Sequence, residues 1–206
     1  MTIDMLPDVV LLETFTFYVG DVNFYSTDAW HTLVHVCRKW RIVVFGSPRR
    51  LNLRLQCGTT RKPVGAQETL DIWPPLPIVI WQHDHLAWDM DNIMAALENN
   101  DRVCEINLWD ASSLQLERVL AAMKEPFPTL TNVRLHSRNK TAQVIPNSFL
   151  GGSAPHLREL ALHNIAFSGL RKLLSSATHL VGGWIFGGFI IPVTFQPRRW
   201  LLASPP

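Results

Sequence analysis

The chain has 206 residues and a formal net charge of +2 at pH 7, with 47% hydrophobic and 17% charged residues. This length suits one or two domains with a substantial core, and the dispersed Lys and Arg residues provide little electrostatic attraction for nucleic acid. We therefore expect a folded chain without a nucleic-acid partner.

The first predicted helix begins at Leu6-Pro7 and continues through an apolar run from Val9 to Phe15. Proline suits the first turn of a helix because its missing N–H is not needed there. The apolar residues that follow are too dense for a single stripe, so this helix requires burial on more than one side.

A second helix is predicted from Trp30 to Arg41, with Thr27 or Asp28 as a candidate cap. Two apolar rows recur there at helical spacing: Trp30, Leu33, Val34 and Cys37 in one, and Val36, Trp40, Val43 and Val44 in the other. Helices totalling about fifty residues cannot bury this much surface alone, which predicts a protein partner. The alternative is plain core packing of the tryptophans, and both interpretations can hold together.

The order Leu-Pro, apolar run, spacer and Val-Cys-Arg-x-Trp-Arg resembles the F-box family over residues 5–57. The resemblance implies docking on the Skp-type adaptor of a cullin-RING ubiquitin ligase, with the Leu-Pro helix in the adaptor's groove. The adaptor-binding residues that it implies are Leu6, Pro7, Val10, Leu11, Phe15 and Trp40. Val9 and Thr14 stand where an acidic residue and Ile are usual, and a Thr14 hydroxyl without a partner in an apolar contact would cost about 1 to 3 kcal/mol.

Further along, an apolar pattern of the form L-x-x-L-x-L recurs every 27 residues, starting at Leu76, Val103, Leu130 and Leu157. This pattern and period are typical of leucine-rich repeats, in which the outer apolar residues face a continuous core and the residues between them point outward. Helices are predicted between the strands, from Asp91 to Asn99 and from Ser113 to Lys124. The segment 141–153 is a weaker helical candidate because proline and glycine interrupt it.

The predicted fold class is therefore α/β, a small helical F-box module followed by a short leucine-rich-repeat solenoid with alternating strands and helices. The expected divisions are an F-box-like module at 1–57, a linker at 58–75, repeats at 76–181 and an irregular apolar tail at 182–206.

The end of the repeat region departs from the period. A fifth strand is expected to begin near Leu180, 23 residues after Leu157, with Gly183 at the position of the second repeat leucine. No polar capping repeat precedes Pro206, although solenoids require one to shield the last apolar face. One hypothesis is that the chain is a shortened form of a longer repeat protein.

The cysteines and the sequence of the N-terminal region together predict the cellular compartment. Three cysteines, Cys37, Cys57 and Cys104, lack metal or redox spacing and suit a reducing compartment. Acidic residues interrupt any signal peptide, so cytoplasm or nucleus is expected. The uncharged stretch 180–195 is shorter than the ~20 residues needed to span a membrane, so no membrane partner is expected, and a tail-anchored protein is the alternative.

Catalytic chemistry is not indicated. His83-Asp84-His85 is the one compact group of possible metal ligands, but no further Cys or His is spaced to complete a zinc site, so we expect no metal and no cofactor. The serines and glycines match neither a nucleophile elbow nor a phosphate loop, and no enzyme is expected. Trp88 and Trp109 are candidate target-binding residues, because exposed aromatic residues on a solenoid are frequent hot spots.

These patterns together predict a substrate-recruiting subunit of a ubiquitin ligase, whose N-terminal module binds the adaptor and whose repeats hold an unknown target protein for degradation. The main alternative is a repeat scaffold for protein-protein interaction without ligase coupling, motivated by Val9, Thr14 and the broken end of the repeats.

Overall fold

The computed structural model describes residues 6–20, 29–58, 65–82, 88–139, 143–166, 181–186, 189–196 and 199–200, and beyond residue 166 it describes the backbone alone. Two compact units divide the chain, Met1–Gln56 and Cys57–Pro206. Across the described residues the fold is mixed α/β, with six α-helices and a sheet whose five central strands are parallel.

The elements follow one another in a simple order. The helices in the described ranges are α1 (Asp8–Gly20), α2 (Ala29–Val34), α3 (Arg38–Gly46), α4 (Ala66–Ile72), α5 (Met90–Leu97) and α6 (Ser113–Ala122). The strands there are β1 (Leu55–Cys57), β2 (Ile78–Gln82), β3 (Val103–Ala111), β4 (Asn132–Ser137), β5 (Gln143–Val144), β6 (Glu159–His163), β7 (Ile165–Ala166), β8 (Val181–Phe186), β9 (Phe189–Gln196) and β10 (Arg199–Trp200). None of these helices combines the length and the apolar character that crossing a membrane requires.

The first unit is built on three helices, with α1 in contact with both α2 and α3. Phe15, Trp30 and Val44 are almost completely buried, and the ring of Phe15 lies 4.7 Å from that of Trp40. The indole Nε1 of Trp30 donates to the carbonyl oxygen of Arg54 at 3.1 Å, which satisfies a polar atom inside the core. The core of this unit is therefore aromatic and holds residues from all three helices.

The second predicted helix is in fact two helices. α2 ends at Val34 and α3 begins at Arg38, because Cys37 adopts an extended backbone with φ −157° and ψ 170°. The side chain of Arg41 donates from Nε to the carbonyl oxygen of Val34 at 3.1 Å, which satisfies a free carbonyl at the end of α2. A single straight helix could not bury both apolar rows, whereas two helices in different directions bury residues of each.

The sheet of the second unit has the strand order β2-β3-β4-β6-β8, all parallel, with β9 and β10 added in antiparallel pairing. α5 connects β2 to β3, α6 connects β3 to β4, and a 3-10 turn at Phe149–Gly152 lies between β4 and β6. β5 and β7 form a separate parallel pair. Strand therefore alternates with helix or turn along the chain, and each parallel strand is reached through a crossover.

The predicted period holds across the middle of this sheet. Ile106 pairs with Val133, and Val133 pairs with Leu160, so equivalent repeat positions lie side by side on β3, β4 and β6. Their side chains are 4% exposed or less. The intervening helices bury apolar faces as well, as Ile93 and Leu116 show.

The predicted alignment of the first repeat is wrong by one residue. The 27-residue period places Val79 and Trp81 beside Ile106 and Leu108, but the strand pairs Ile80 with Ile106 and Gln82 with Leu108. Because side chains alternate between faces of a strand, this shift moves Val79 and Trp81 to the face opposite Ile80. A register irregularity between Ile78 and Val79 accompanies the shift.

The predicted linker and the predicted irregular tail both contain regular structure. The linker 58–75 includes α4, and the tail 182–206 includes strand residues of β8, β9 and β10. The fifth strand does form, as β8, but Gly182 rather than Gly183 pairs with Leu160. The run Ile190-Ile191-Pro192-Val193-Thr194-Phe195 is rich in β-branched and aromatic residues, which favour strands.

Candidate functional site

Two surfaces of the described chain carry exposed or half-exposed side chains of the kinds that recognise proteins, one in each unit. The surface in the second unit is one face of the sheet. It lies opposite the face that holds the side chains of Ile106 and Leu108. We call it the outer sheet face and define it by the alternate residues of four strands: Val79, Trp81, Glu105, Asn107, Trp109, Asn132, Arg134, His136, Glu159, Ala161 and His163.

An ion pair lies across the middle of the outer sheet face. Arg134 on β4 donates from Nε and Nη2 to the two carboxylate oxygens of Glu159 on β6, at 2.7 and 2.9 Å. Asn132 donates a further hydrogen bond to Glu159 Oε2 at 3.0 Å. The hydrogen bonds from Arg134 in the first place hold the pKa of the Glu159 carboxyl below its usual value. Glu159 is therefore ionised at neutral pH.

Arg134 is influenced by a second carboxylate. Its pKa is raised first by the hydrogen bonds to Glu159 and also by the negative charges of Glu159 and Glu105. Glu105 on β3 is aligned with Asn132 on β4, and Asn132 with Glu159 on β6. The charge of Glu105 therefore acts on Arg134 in addition to that of its hydrogen-bonded partner Glu159.

Beside these charges lies a cluster of three rings. The ring of Trp109 is 5.5 Å from that of His136 and 5.6 Å from that of His163, and the two imidazoles are 5.6 Å apart. All three residues are partly exposed. Burial in the first place, and then the positive charge of His136, lower the pKa of His163, so that imidazole is neutral at pH 7.

The end of β3 is bulged, and the bulge holds this cluster in place. Asp110 has a positive φ of 60°, and the register between β3 and β4 shifts between Leu108 and Ala111. The backbone N–H of Asp110 donates to His136 Nδ1 at 3.1 Å, while its carboxylate accepts from Arg138 at 2.6 and 3.0 Å. The hydrogen bonds from Arg138, above all, lower the pKa of Asp110. An accepting Nδ1 requires the ring proton of neutral His136 to lie on Nε2.

Asn107 stands at the centre of the outer sheet face, aligned between Trp81 on β2 and Arg134 on β4. Its side-chain Oδ1 is shielded from solvent and has no hydrogen-bond partner within the described part of the chain. A shielded acceptor of this kind is costly unless a donor reaches it. An N–H or O–H donor from outside those ranges would satisfy it.

The second surface is the exposed side of α1. Val10 and Phe17 lie two helical turns apart on one side of the helix, with exposed fractions of 45% and 76%. Val9 is 65% exposed beside them, and Leu6 precedes the helix on the same side with 36% exposed. We call these four residues the α1 apolar stripe. Contiguous exposed apolar side chains of this kind suit a protein-binding face.

The six predicted adaptor-binding residues fall into two groups. Leu6, Pro7 and Val10 are exposed, whereas Leu11 and Phe15 are 2% and 0% exposed and belong to the core. Trp40 is half-buried against Phe15, and its indole Nε1 is shielded with no hydrogen-bond partner within residues 6–20 and 29–58. The structure therefore leaves the first three accessible and puts Leu11, Phe15 and Trp40 beneath them.

Thr14 does not carry the cost that an unpartnered hydroxyl would impose. Its Oγ1 donates to the backbone carbonyl oxygen of Val10 at 2.9 Å, one helical turn earlier, and Thr16 makes the same bond to Leu12 at 2.7 Å. Thr14 is exposed beside the α1 apolar stripe. The polar group is therefore satisfied within the helix before any partner arrives.

Of the two predicted target-binding tryptophans, Trp109 lies on the outer sheet face, and Trp88 is half-buried immediately before the α5 cap residue Asp89. Sequence reasoning missed His136, His163, Arg134 and Glu159. A signal for them existed, since His136 and His163 follow Trp109 at the same 27-residue period. Repeat positions next to the core leucines would have identified them as neighbours on one face.

The predicted His83-Asp84-His85 group lies outside the described residues. Within the described ranges, no three His, Cys, Asp or Glu side chains come together in a way that could hold a metal ion. Cys37, Cys57 and Cys104 form no disulfide bond among the described residues.

Comparisons with known proteins return nothing for this chain. No protein-family profile matches the sequence. No curated protein and no solved structure matches it either. The assignment of a function therefore depends on the two surfaces themselves.

Proposed function

We propose that the chain is an F-box-type recruiting subunit of a cullin-RING ubiquitin ligase, which binds a Skp-type adaptor through the first unit and a target protein through the second. The observation that carries this proposal is the α1 apolar stripe, because Val10 and Phe17 are exposed on the opposite side of the helix from the buried Leu11 and Phe15. A helix that is apolar on both sides needs a partner on the second side.

The surroundings of the stripe support a docked partner. Lys39 on α3 donates to the carbonyl oxygen of Leu6 at 2.7 Å and lies 3.7 Å from the carboxylate of Asp8, which ties the start of α1 to α3. Beneath it, the contact between Phe15 and Trp40 fixes the helix on the core. A rigid, pre-positioned apolar helix binds a groove at a lower entropic cost than a mobile one.

The role in the ligase would be recruitment by proximity, with no catalytic step on this chain. A target held by the second unit would have its lysines kept near the ubiquitin-charged enzyme, where their effective concentration is high. The outer sheet face supports this part of the proposal. Its four strands lie side by side and present partly exposed rings and charged side chains. As a ligase subunit, the chain is expected in the cytoplasm or nucleus.

Adaptor binding is tested by co-expressing the full chain with a Skp-type adaptor and measuring retention in a pull-down. We expect retention by the wild type and its loss in a Val10→Asp/Phe17→Asp variant, since two carboxylates would be buried in an apolar groove. Leu114→Asp is the matched control, because Leu114 is 68% exposed on α6 in the second unit and should leave retention unchanged.

The Leu6-Pro7 pair, which the resemblance places in the adaptor's groove, supplies a second variant. Leu6→Ala/Pro7→Ala should weaken retention while leaving the circular dichroism spectrum of the chain unchanged, because both residues are exposed. A folded wild-type chain that the adaptor does not retain would remove the ligase role. The scaffold without ligase coupling would then be the better interpretation, and the departures at Val9 and Thr14 would be its explanation.

A further inference from the structure

The bulge at the end of β3 depends on a hydrogen bond that a single proton would remove. We propose that this bulge is a pH-sensitive switch, in which protonation of His136 releases the backbone N–H of Asp110 and turns the imidazole toward the Asp110 carboxylate. Trp109 directly precedes Asp110, so the switch changes the direction of that tryptophan on the outer sheet face. An effect on target binding rests on the proposed function above, whereas the switch itself is argued from the bulge alone.

The hydrogen bond at the bulge requires a neutral ring. The backbone N–H of Asp110 donates to His136 Nδ1 at 3.1 Å, and an imidazole nitrogen accepts only while it carries no proton. A protonated imidazole has an N–H at both ring nitrogens, so two donors would then face each other. The lost bond is one of the contacts that hold Asp110 at φ 60°, a conformation that residues other than glycine seldom adopt. Protonation therefore acts on the residue that forms the bulge.

The Asp110 carboxylate offers the protonated ring a second position. Both hydrogen bonds from Arg138 go to Asp110 Oδ2, and Oδ1 accepts none within the described ranges. The hydrogen bonds from Arg138 in the first place, and further the positive charges of Arg138 and His136, lower the pKa of Asp110. An imidazolium at His136 and this carboxylate therefore attract each other. The switch exchanges one hydrogen-bonded arrangement for another, as a two-state element requires.

The ion pairs near His136 keep their charges while this ring titrates. On the described elements beside it, the titratable groups of this face are Glu105 and Asp110 on β3, Arg134 on β4, Arg138 just after it, and Glu159 and His163 on β6. Hydrogen bonds within each of the two ion pairs, first of all, lower the pKa of the carboxyl and raise that of the guanidinium. Glu105 is aligned with Asn132, four residues before His136, which is about 13 Å along a strand.

His163 is the second imidazole of the cluster, and it does not take a proton at the same time. Its ring lies 5.6 Å from that of His136. Burial in the first place, and then the positive charge of His136, lower the pKa of His163. His163 therefore stays neutral while His136 carries the proton, and a single positive charge drives the change at the bulge.

Trp109 is placed to report the change. The register between β3 and β4 shifts between Leu108 and Ala111, and Trp109 lies within that interval. Its ring is 5.5 Å from the imidazole that turns, and its neighbour in sequence is the residue whose N–H is released. The indole of Trp109 and the amide of Asp110 should therefore respond together to one titration.

Nuclear magnetic resonance of the full chain, labelled with nitrogen-15, tests the switch over the range from about pH 8 to about pH 5 in which histidine titrates. We expect the neutral ring of His136 to carry its proton on Nε2. The Asp110 amide and Trp109 indole resonances should shift with the same midpoint as the ring nitrogens of His136. A neutral ring protonated on Nδ1 would overturn the proposal, as would resonances of Asp110 and Trp109 that stay in place while His136 titrates. A folded chain in which His136 does not titrate in this range would overturn it as well.

Two variants assign the shift to one ring. In His136→Asn the amide oxygen can accept from the N–H of Asp110 but does not titrate, so the Asp110 and Trp109 resonances should keep their positions across the pH range. His163→Asn is the matched control, because it removes the neighbouring imidazole and leaves the bond between Asp110 and His136. Shifts that persist in His136→Asn, or that disappear in His163→Asn, would assign the effect to another group and contradict the switch.

The wild-type titration decides the proposal even if a variant does not fold. It is also independent of the ligase role, because the switch lies in the second unit and the variants for adaptor binding lie in the first. A switch without adaptor retention would leave a pH-sensitive chain with no ligase role. Adaptor retention without a pH-dependent shift would have the opposite meaning.

Discussion

Arg134 and Glu159 form a two-point ion pair across the neighbouring strands β4 and β6, with N–O distances of 2.7 and 2.9 Å. The geometry is the paired one in which a guanidinium and a carboxylate match best. It joins two repeat positions through the part of the sheet that faces away from the core. The pair therefore contributes to stability and fixes two charged side chains on the outer sheet face.

Replacing Glu159 should produce a pH-dependent loss of stability. The pKa of Glu159 is lowered from 4.5 in the folded chain, so the contribution of the pair is present above pH 4.5 and is lost as the pH falls through the folded pKa. Because both side chains are partly exposed, we expect Glu159→Gln to reduce the free energy of unfolding by only about 0.5 to 1 kcal/mol at pH 7. Urea unfolding of the wild type and the variant at pH 7 and pH 3 measures this loss. An equal difference in the free energy of unfolding at both pH values would contradict the pH dependence.

Two phenylalanines on α1 should differ sharply in their effect on stability. Phe15 is 0% exposed against Trp40, so Phe15→Ala should cost about 3 to 5 kcal/mol by leaving a cavity, enough to unfold a small three-helix unit. Phe17 is 76% exposed, and Phe17→Ala should change the free energy of unfolding by less than about 0.5 kcal/mol. Thermal unfolding followed by circular dichroism compares the two variants. Equal shifts in melting temperature would show that α1 is oriented differently.

The start of α6 depends on a reciprocal pair of hydrogen bonds. Ser112 Oγ accepts from the backbone N–H of Gln115 at 3.4 Å, and Gln115 Oε1 accepts from the backbone N–H of Ser112 at 2.9 Å. Removing the cap with Ser112→Ala should reduce the free energy of unfolding by about 1 kcal/mol. Ser153→Ala, at an exposed position outside any helix cap of this kind, is the control, and an effect of equal size there would argue against the capping box.

Adjacent glycines in the 3-10 turn offer a test of close packing. Gly151 and Gly152 both have positive φ, 62° and 73°, where an added side chain costs about 1 kcal/mol or more. A Cβ at Gly151 would also lie 2.8 Å from Pro126 Cγ and 2.9 Å from the Pro126 backbone nitrogen, whereas a Cβ at Gly152 would meet nothing within 4 Å. Gly151→Ala should therefore destabilise the chain more than Gly152→Ala in urea unfolding, and the reverse order would contradict this packing.

Much of the repeat region could be predicted because its signal is periodic. The apolar pattern starting at Val103, Leu130 and Leu157 predicts three strands, and β3, β4 and β6 pair with the same 27-residue offset. α6 lies within the segment where a helix was predicted, and α5 begins one residue before its predicted start at Asp91. Periodicity indicates which side of an element is buried. It therefore also predicts the register between strands and the order of the layers.

The register at the two ends of that region could not be predicted, since β2 and β8 each have a repeat strand on only one side. β2 follows β3 at an offset of 26 residues rather than 27, which reverses the faces of Val79 and Trp81. At the other end Leu160 pairs with Gly182, one position from the expected Gly183. A shift of one residue changes the sequence pattern little but changes every side-chain direction.

By itself the sequence determined that the apolar residues of α1 are too dense for one stripe, that the chain has a repeating strand pattern and that Trp109 directly follows a repeat position. Tertiary structure alone decided that Leu11 and Phe15 are buried while Val10 and Phe17 are exposed, because a helix with apolar residues on more than one side does not define its own inner side. Tertiary structure also gathered Trp109, His136 and His163 into one cluster. Residues far apart in the chain become neighbours only when strands pair. Local sequence preferences do not determine which strands pair or in what register.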